Sequence, residues 1–519
     1  MSSFGYNVLG FGANASGSGG DPVDDNFNRV SFQSHFEGAN NGVNNAFDDG
    51  SASNRTVTAN GGATQGSFGP FAREEGYWAV SFDGTGDNLA VADSADFNMG
   101  SGNFTAECWV FPTASPDQPI IMGQWSGSYS WALQMSNNSS RYLRFLTNTG
   151  SNIVDNVSST AVPLNQWSHV ALVRNGTSFV AYLNGTSVVS STVNGSLTNS
   201  TDALSIGDAV GGGQPYEGLI SNVRIVQSTA VYTGNFTPST SPLTAITNTK
   251  LLTCQSNCFV DKSASAHTIA PSAGDTAVSA FGPFLTDAVY DPAVNGASVY
   301  FDGTGDSLLI NSPPSDFGTS NFTIEAWVYK VARSGGGHIF GQGDGDATNT
   351  RKVSNFGIDD DKLIIQVFED GNVILLQGTA GEIQQKSWYH VALTHAYTNS
   401  SSSTYKMWIN GVLSDTLNHT GGYNWNDGAG SGNPIGINNY RFSNAAGVEM
   451  YMQDVRLVVG SLVYTDTFTP PTAPLTAITN TQLLLNMADG QAIDSAAQNN
   501  LALYGNAKLS TTQAKFGDT

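Results

Sequence analysis

Two stretches of nearly identical sequence decide the fold: residues 82–91 read FDGTGDNLAV, and residues 301–310 read FDGTGDSLLI. Further matched pairs follow both stretches in the same order. They are NFTAECWV (103–110) and NFTIEAWV (321–328), QWSHVALV (166–173) and SWYHVALT (387–394), AYLNG (181–185) and MWING (407–411), and VRIV (223–226) and VRLV (455–458). Matches in this number and order show an internal duplication, in which each copy is one structural unit.

A further motif, here called the lead-in, precedes the FDG stretch of each copy. It reads FDDGSASNRTVTANGGATQGSFGPF at 47–71 and FVDKSASAHTIAPSAGDTAVSAFGPF at 259–284. A third version, AIDSAAQNNLALYGNAKLSTTQAKFGDT, occupies 492–519. We expect this third version to be either the start of another repeat or a segment that completes an edge of the second copy.

The repeated motifs are typical of β-strands. In NFTIEAWV, the apolar residues Phe322, Ile324 and Ala326 recur with a period of two, which places them on one face of a strand. The tripeptides LNG and ING favour tight hairpins, and the glycines of FDGTGD permit a turn with positive φ. Many short strands joined by turns predict an all-β fold of two packed antiparallel sheets in each copy.

Composition and charge exclude several functional classes. The 519 residues include 20 Lys and Arg against 42 Asp and Glu, a formal net charge of −22. This excess of acid argues against binding nucleic acid or an anionic membrane through a positive field. No stretch approaches the ~20 apolar residues of a membrane helix, and the N-terminus lacks the pattern of a secretory signal. We therefore expect no nucleic-acid partner and no membrane insertion.

The chain has few cysteines. Cys108, Cys254 and Cys258 rule out a disulfide-built scaffold and give no four-ligand zinc set. The CQSNC spacing of Cys254 and Cys258 permits a local disulfide, and two unpaired thiols are the alternative.

The order of the repeated motifs resembles that of the laminin-G-like domain, a concanavalin A-type jelly roll. These motifs are FDGTGD, NFTxExWV, WxHVAL, (L/I)NG and the closing VR(I/L)V strand. The lead-in is similar to that domain's opening strand. The resemblance implies two tandem jelly-roll β-sandwiches with a short N-terminal arm and a partial third repeat. The expected division is a docking arm and flexible linker (1–27), jelly roll 1 (28–250), jelly roll 2 (251–482) and the start of a third repeat or a completing edge segment (483–519).

A narrower resemblance concerns the linkers and the N-terminus. YTGNFTPSTSPLTAITNTKLLTCQSN (232–257) and MSSFGYNVLGFG (1–12) are similar to segments of structural proteins from tailed marine cyanobacterial phages. This implies a fibre, appendage or decoration protein at the virion surface. The apolar and aromatic positions of the arm would then dock onto other virion proteins, and a frayed terminus is the alternative. These positions are Phe4, Tyr6, Val8, Leu9 and Phe11.

An enzyme is not expected, although concanavalin A-type folds include glycoside hydrolases. That chemistry needs two carboxyl groups flanking the scissile bond. Glu107 and Glu325 stand alone in their strands, without the second acid of an ExDxxE motif. His169 and His390 recur without a repeated nucleophile, so we interpret all four side chains as structural.

Calcium is the one metal that the resemblance implies, and no cofactor is required. Relatives with this fold often hold Ca²⁺ at a rim through carboxylate and carbonyl oxygens, its preferred ligands. The alternative is that each aspartate of FDGTGD caps its own turn. The candidate ligands are Asp83, Asp87, Asp302, Asp306, Asp344 and Asp346.

Carbohydrate binding would use aromatic rings that stack on sugar faces, with polar groups around them. Aromatic residues cluster in loops that differ between the copies, which is where specificity is expected. Exposed aromatic residues would serve equally well as contacts between subunits. The candidates are Trp125, Tyr129, Trp131, Tyr216, Tyr423, Trp425 and Tyr440.

These observations predict a non-enzymatic virion appendage that attaches to a glycan on the host surface. A homo-oligomer or multicopy assembly would turn weak sites into useful avidity. A purely structural cement or spacer protein is the alternative. A glycan-degrading enzyme and a secreted adhesin agree less well with the sequence.

Overall fold

The computed structural model describes residues 56–487 except 62–63, 67, 137–139, 272–275, 281–282, 284–294, 304–305, 311–316, 332–335, 344–351, 370–371, 400–401, 421–424, 426–434 and 439–447. The first strands in chain order are β1 (Val57–Asn60), β2 (Thr64–Gly66), β3 (Ala79–Asp83), β4 (Leu89–Val91), β5 (Phe104–Pro112), β6 (Ile120–Gln124), β7 (Trp131–Met135), β8 (Tyr142–Asn148), β9 (Ile153–Ala161), β10 (Ser168–Asn175), β11 (Ser178–Leu183), β12 (Thr186–Thr192), β13 (Leu204–Ile206), β14 (Glu217–Gln227) and β15 (Thr249–Thr253). The remaining strands are β16 (Ile269–Pro271), β17 (Ala277–Ser279), β18 (Ser298–Asp302), β19 (Ser307–Ile310), β20 (Phe322–Lys330), β21 (Gly336–Gly343), β22 (Lys352–Asp359), β23 (Lys362–Glu369), β24 (Asn372–Gln377), β25 (Trp388–Asn399), β26 (Ser402–Ile409), β27 (Val412–His419), β28 (Ile435–Ile437), β29 (Glu449–Val459) and β30 (Thr481–Leu485). A short 3₁₀ turn, Ala95–Phe97, follows β4.

The strands form two sandwiches of the same design. Sandwich 1 packs an 8-stranded sheet, β12–β11–β10–β5–β14–β3–β17 with β15 beside β14, against a 7-stranded sheet, β16–β4–β13–β6–β7–β8–β9. Sandwich 2 repeats both sheets strand for strand, as β2–β18–β29–β20–β25–β26–β27 with β30 beside β29, and as β1–β19–β28–β21–β22–β23–β24. The central pairings of both larger sheets are antiparallel. The predicted all-β jelly-roll architecture is confirmed.

Strand β5 shows how the alternating pattern produces the two layers. Phe104, Ala106 and Cys108 point inward and are fully buried in the core between the sheets of sandwich 1. Their neighbour Glu107 points to the outer face of the larger sheet, because successive side chains of a strand alternate. The equivalent core of sandwich 2 contains Phe322 of β20.

A bulge interrupts the long strands β14 and β29 at matched positions. The pairing of β14 with β5 shifts register between Ser221 and Arg224, and Asn222 there has φ 53°. The equivalent residue of β29 is Asp454, with φ 56°. Asn and Asp tolerate this left-handed conformation better than most residues. Such a bulge bends the strand, so that β14 pairs first with β3 and then with β15.

The lead-ins lie on the opposite sandwiches from those expected. Strands β16 and β17, from the lead-in at 259–284, pair with β4 and β3 of sandwich 1. Strands β1 and β2, from the lead-in at 47–71, pair with β19 and β18 of sandwich 2. The boundary predicted between residues 250 and 251 therefore falls inside sandwich 1, because β15, β16 and β17 all complete that sandwich.

A third apolar cluster joins the sandwiches. It contains Trp78 and Val278 from the sandwich 1 side and Trp327, Tyr329 and Trp388 from sandwich 2. Two backbone hydrogen bonds cross the same junction, from Val278 N to Lys386 O (3.1 Å) and from Trp388 N to Asn257 O (3.1 Å). The exchanged lead-ins and this junction cluster together hold the two sandwiches against each other.

In the described part of the chain, no helix is long and apolar enough to cross a membrane.

Candidate functional site

A buried glutamate organises the outer face of the larger sheet in sandwich 1. Glu107 Oε1 accepts hydrogen bonds from Arg224 Nε (2.9 Å) and Nη2 (2.6 Å). Its Oε2 accepts from Tyr232 Oη (2.7 Å) and pairs with His169 Nε2 at 3.0 Å. An ionised carboxylate only accepts hydrogen bonds, so the proton of this pair lies on His169 Nε2. Both carboxylate oxygens are therefore engaged.

Sandwich 2 repeats this glutamate cluster with almost the same distances. Glu325 Oε1 accepts from Arg456 Nε (2.8 Å) and Nη2 (2.6 Å). Glu325 Oε2 accepts from Tyr464 Oη (2.6 Å) and pairs with His390 Nε2 at 3.0 Å. Two copies of one sandwich have thus kept the same set of four side chains.

The electrostatics of the clusters favour the ionised form of both glutamates. Burial by itself would raise the pKa of Glu107, but the hydrogen bond from His169 and the charge of Arg224 hold that pKa below its usual value. The same causes lower the pKa of Glu325. Both carboxylates are completely buried, so an ionised group is held away from any substrate. The structural interpretation of the glutamates and their histidines agrees with this burial and pairing, and it stays a prediction.

Each cluster fastens a long irregular segment over the sheet. In sandwich 1 this covering segment comprises residues 228–248, and its Tyr232 and Phe236 rings stack at 3.5 Å and 4°. Arg224 Nη1 donates to Thr244 O (2.8 Å), and Phe236 N donates to Gly185 O (2.9 Å). The covering segment of sandwich 2, residues 460–480, has the same stack. The motif YTxxFTP, which occurs at 232–238 and again at 464–470, is thus explained by its packing against the sheet.

The best candidate for ligand binding is a pair of aromatic rings at the rim of sandwich 1. Trp125 and Tyr129 lie in the loop between β6 and β7, with ring centroids 4.7 Å apart and planes at 30°. Trp125 is half-buried, and Tyr129 is 40% exposed. The structure therefore brings these two predicted site residues together where a ligand can reach them.

The loop that carries these rings is held by one carboxylate. Asp202 Oδ2 accepts from the backbone N–H groups of Ser126 (3.2 Å), Gly127 (2.7 Å) and Ser128 (2.7 Å). Asn148 Nδ2, at the end of β8, donates to Tyr129 O (3.0 Å). These bonds fix the loop before any ligand arrives, which lowers the entropic cost of binding.

Three of the predicted ligand-binding aromatic residues are core residues instead. Trp131, Tyr216 and Trp425 each have 0% exposure. Trp131 packs against Phe104 (centroids 5.4 Å apart), and Trp425 packs against the equivalent Phe322 (5.6 Å). The two tryptophans fill the same place in the two cores from different segments, which explains why the flanking loops differ in sequence.

The aspartates of the FDGTGD turns hold the turns closed. Asp83 Oδ1 accepts from Thr85 N (2.7 Å), and Asp87 Oδ2 accepts from Asp83 N (2.8 Å). In sandwich 2, Asp306 Oδ2 accepts from Asp302 N at 2.8 Å. Within the described part of the chain, no three His, Cys, Asp or Glu side chains are placed to hold a metal ion. The calcium site stays a prediction.

Several predicted residues lie outside the described residues. They are the docking residues Phe4, Tyr6, Val8, Leu9 and Phe11, the loop aspartates Asp344 and Asp346, and the aromatic residues Tyr423 and Tyr440.

The cysteines of CQSNC are free thiols in the structure. Burial raises the pKa of Cys254 to about 12 and that of Cys258 to about 11, which keeps both thiols protonated at neutral pH.

The partners that give the sites their geometry were not among the predicted residues. Arg224 and Tyr232 lie far along the chain from Glu107, so local patterns do not connect them. A signal was nevertheless present, since an arginine in the apolar strand VRIV implies a buried acid opposite it. No comparable sequence pattern indicated that Asp202 would hold the loop that carries Trp125 and Tyr129.

Comparisons with known proteins agree with this architecture. A family model described as "Concanavalin A-like lectin/glucanases superfamily" matches residues 83–230 and 302–462, which is more than half of the chain. A search of curated proteins finds no match.

Three solved structures match this chain at low similarity. A candidate carbohydrate-binding protein of Bacteroides ovatus is 17% identical, with 39% of this chain and 59% of that one covered and a TM-score of 0.31, so the match spans less than two thirds of that protein. Domains LG4-5 of the mouse laminin alpha1 chain are 12% identical, with 78% and 93% covered and a TM-score of 0.24. A heptameric pentraxin of Limulus polyphemus is 19% identical, with 30% and 78% covered and a TM-score of 0.25.

Proposed function

We propose that this chain, which belongs to the concanavalin A-like lectin/glucanases superfamily, is a non-catalytic, lectin-like surface protein of a tailed phage virion. In this proposal the chain is a fibre or decoration component, and the rims of its sandwiches attach the particle to a glycan on the host surface. The observation that carries the proposal is the accessible Trp125–Tyr129 pair on a loop that is already fixed.

The chemistry of this rim suits a sugar. The C–H faces of a pyranose ring pack on aromatic rings, and its hydroxyl groups exchange hydrogen bonds with neighbouring polar groups. Asn148, which donates to Tyr129 O, begins the β8–β9 turn, and Ser151 and Asn152 of this turn are exposed polar residues. Such a shallow site binds weakly, and many copies on one particle would supply the avidity.

The lack of catalysis is supported by the state of the repeated acids. Canonical glycoside hydrolysis needs two carboxyl groups on either side of the bond, roughly 5–10 Å apart. Two of the acids that both copies share, Glu107 and Glu325, are buried and engaged with Arg, His and Tyr. We therefore assign binding rather than cleavage to the rim.

The phage assignment is supported by the resemblance of residues 1–12 and 232–257 to phage structural proteins. In this proposal Phe4, Tyr6, Val8, Leu9 and Phe11 dock onto other virion proteins, and the sandwiches project outward. The acidic net charge of −22 keeps a dense display soluble.

The proposed binding requires no cofactor, and calcium is the metal that the rim carboxylates would take. Asp83 and Asp87 in sandwich 1, and Asp302 and Asp306 in sandwich 2, offer the hard oxygen ligands that Ca²⁺ prefers. Tighter glycan binding on addition of Ca²⁺, reversed by a chelator, would support this part.

The test is a glycan array and a host-cell adsorption assay with the full chain displayed multivalently. Trp125→Ala and Tyr129→Ala are expected to abolish binding while leaving the circular dichroism spectrum unchanged. Val412→Ala in sandwich 2 removes a more exposed apolar side chain (60%) and is the control, with no effect expected. If the wild-type display binds neither glycans nor host cells, the recognition function is wrong.

A structural spacer is the second candidate, because apolar side chains are exposed along the edges of the smaller sheets. Ile153 and Val157 of β9 are 55% and 46% exposed, and Leu375 of β24 is 46% exposed. Such edges suit contacts with neighbouring subunits. Particle assembly that fails in the variants Ile153→Ser and Val157→Ser, with glycan binding intact, would favour this candidate.

A further inference from the structure

One oxygen of the Asp202 carboxylate is not used to hold the loop between β6 and β7. Oδ2 accepts all three backbone hydrogen bonds, from Ser126, Gly127 and Ser128. Oδ1 makes no hydrogen bond with any residue that the structure describes, and it is not shut off from solvent. Because each oxygen of an ionised carboxylate has two acceptor sites, Oδ1 is able to accept hydrogen bonds from a ligand.

This oxygen lies at the same rim as the candidate aromatic pair. A Cβ added at Gly127 would be 3.7 Å from Asp202 Oδ1. Gly127 is exposed, and in the chain it stands two residues from Trp125 and two from Tyr129. A sugar that packs on either ring therefore has a hydrogen-bond acceptor beside it.

The pairing of the strands brings Asp202 to this position. Strand β13 pairs antiparallel with β6, and Ser205 lies opposite Gly123. The same register, continued by three residues, places Asp202 opposite Ser126. Gln124 Nε2 donates to Asp202 O (3.0 Å), which holds the backbone of Asp202 against the end of β6. The acceptor is thus in place before a ligand binds, which lowers the entropic cost of binding.

A second carboxylate makes this end of β6 more negative. Gln124 Nε2 also donates to Asp93 Oδ1 (3.3 Å), so one amide links Asp93 with the backbone of Asp202. Asp93 is exposed. Two carboxylates near one site repel a ligand that carries a negative charge, and they attract a ligand that carries a positive one.

We propose that Asp202 determines the specificity of the glycan site, and that its ligands are uncharged sugars and amino sugars rather than sugars with a carboxylate. The inference rests on the proposed glycan binding and adds its ligand class. A hydroxyl or ammonium group of the sugar donates to Oδ1, while the ring packs on Trp125 or Tyr129. A site with a fixed acceptor discriminates against ligands that offer it no donor, because its polar group is then left unpaired.

Asp202→Asn tests this chemistry with a minimal change in shape. The three N–H groups of the loop need an acceptor, so the amide oxygen should take the place of Oδ2 and the NH₂ group the place of Oδ1. The rim then presents a donor without a charge. Hydrogen exchange at the amides of residues 126–128 shows whether the loop is still held.

Gly127→Ala is the second variant, and it keeps the charge and the side chain of Asp202. Its methyl group would lie in contact with Oδ1, at 3.7 Å, and would cover part of the acceptor. Asp117→Asn is the matched control. It removes an equal charge from an exposed residue that precedes β6, at the end of that strand away from the loop.

The assay is a glycan array that carries each neutral sugar beside its uronic acid in the same linkage, including glucose with glucuronic acid and galactose with galacturonic acid. The full chain is displayed multivalently, and the concentration for half-maximal binding is measured. Wild type and Asp117→Asn should bind the neutral member of each pair more tightly. Asp202→Asn should bind neutral sugars about tenfold more weakly, as expected for the loss of a hydrogen bond to a charged group, and its preference over uronic acids should shrink or reverse. Gly127→Ala should weaken neutral sugars without improving the binding of uronic acids.

The outcomes separate this inference from the proposed function. Wild type that binds uronic acids as tightly as their neutral counterparts would overturn the inference and leave glycan binding intact. A display that binds no glycan on the array would overturn the proposed function and this inference with it. If Asp202→Asn loses the protection of amides 126–128, Gly127→Ala decides, and undiminished binding of neutral sugars by that variant would overturn the inference.

Discussion

Replacing Asp454 by Asn is expected to have opposite effects on stability at low and at high pH. Asp454 is completely buried at the bulge of β29. Burial is the main cause that raises its pKa to about 7, and the hydrogen bond from Asn486 Nδ2 (2.6 Å) offsets only part of this effect. The equivalent residue of sandwich 1 is Asn222, which carries no charge.

The magnitude follows from the difference in proton binding between the folded and unfolded states. An aspartate with a raised pKa binds more protons when folded, so the free energy of unfolding falls as pH rises from about 4 through about 7. A shift of ~3 units at 1.36 kcal/mol per unit gives a loss of about 4 kcal/mol at most. Asparagine removes this loss of stability. However, the two oxygens of Asp454 accept from Asn486 Nδ2 and Leu475 N, and the single side-chain oxygen of asparagine replaces both, which costs about 1 kcal/mol. Asp454→Asn should therefore be about 1 kcal/mol less stable than wild type near pH 4 and about 3 kcal/mol more stable near pH 8.

The assay is urea unfolding of wild type and variant across this pH range, with hydrogen exchange of β29 and β14 to localise the change. The difference between the two proteins is the quantity to follow, because other carboxylates titrate equally in both. Asn222→Asp is the matched control, and it should make the free energy of unfolding of sandwich 1 fall in the same way as pH rises. A difference between Asp454→Asn and wild type that stays constant from about pH 4 to about pH 8 would refute the reasoning.

Two further predictions concern the covering segments. Glu107→Gln and Glu325→Gln should each destabilise their sandwich by about 3–5 kcal/mol in equilibrium unfolding, because Arg224 or Arg456 is left as a buried charge without its partner. The lowered pKa of each glutamate stabilises the folded state, and this stabilisation is lost as pH falls through the pKa of the folded state. The free energy of unfolding of each variant should therefore fall less than that of wild type as the solution is acidified. An equal fall in variant and wild type would contradict this. Gly185→Ala should lower the stability by more than the ~1–2 kcal/mol of a left-handed alanine, because its Cβ would lie 1.8 Å from Phe236 O. The control is Gly176→Ala, which also has positive φ but has no atom within 4 Å of the added Cβ. Equal losses of stability in thermal unfolding would count against the close approach at Gly185.

The repeated motifs made the fold predictable from the sequence, but not the exchange of the lead-ins. Alternation in NFTAECWV and NFTIEAWV defines strand faces, and a matched order of motifs defines two equal units. The slots beside β4 and β19 are also equal, so the sequence contains nothing that assigns a given lead-in to one of them. Only the three-dimensional path of the chain decides this, through the linkers that connect the lead-ins to β3 and β18.

Part of the candidate glycan site was predictable from the sequence, because the residues concerned are neighbours in one loop. Trp125 and Tyr129 lie close together in sequence, so their clustering at the rim follows from one loop. Trp131 belongs to the same motif but begins β7, where every residue is buried. Two positions therefore separate the rim residue Tyr129 from the core residue Trp131, and composition does not show where the strand begins.

The repeated glutamate clusters limit the surfaces at which a glycan can bind. The inner faces of both sheets form the cores, and the covering segments occupy the outer face of each larger sheet around Glu107 and Glu325. The lead-ins fill edge positions beside β3, β4, β18 and β19. What a partner can reach is then mainly the loops at the rim and the outer strands of the smaller sheets, which differ in sequence between the copies. Features shared by the copies therefore maintain shape, and the proposed glycan site lies where the copies differ, so that substitutions in the Trp125–Tyr129 loop should change binding without changing the stability of either core.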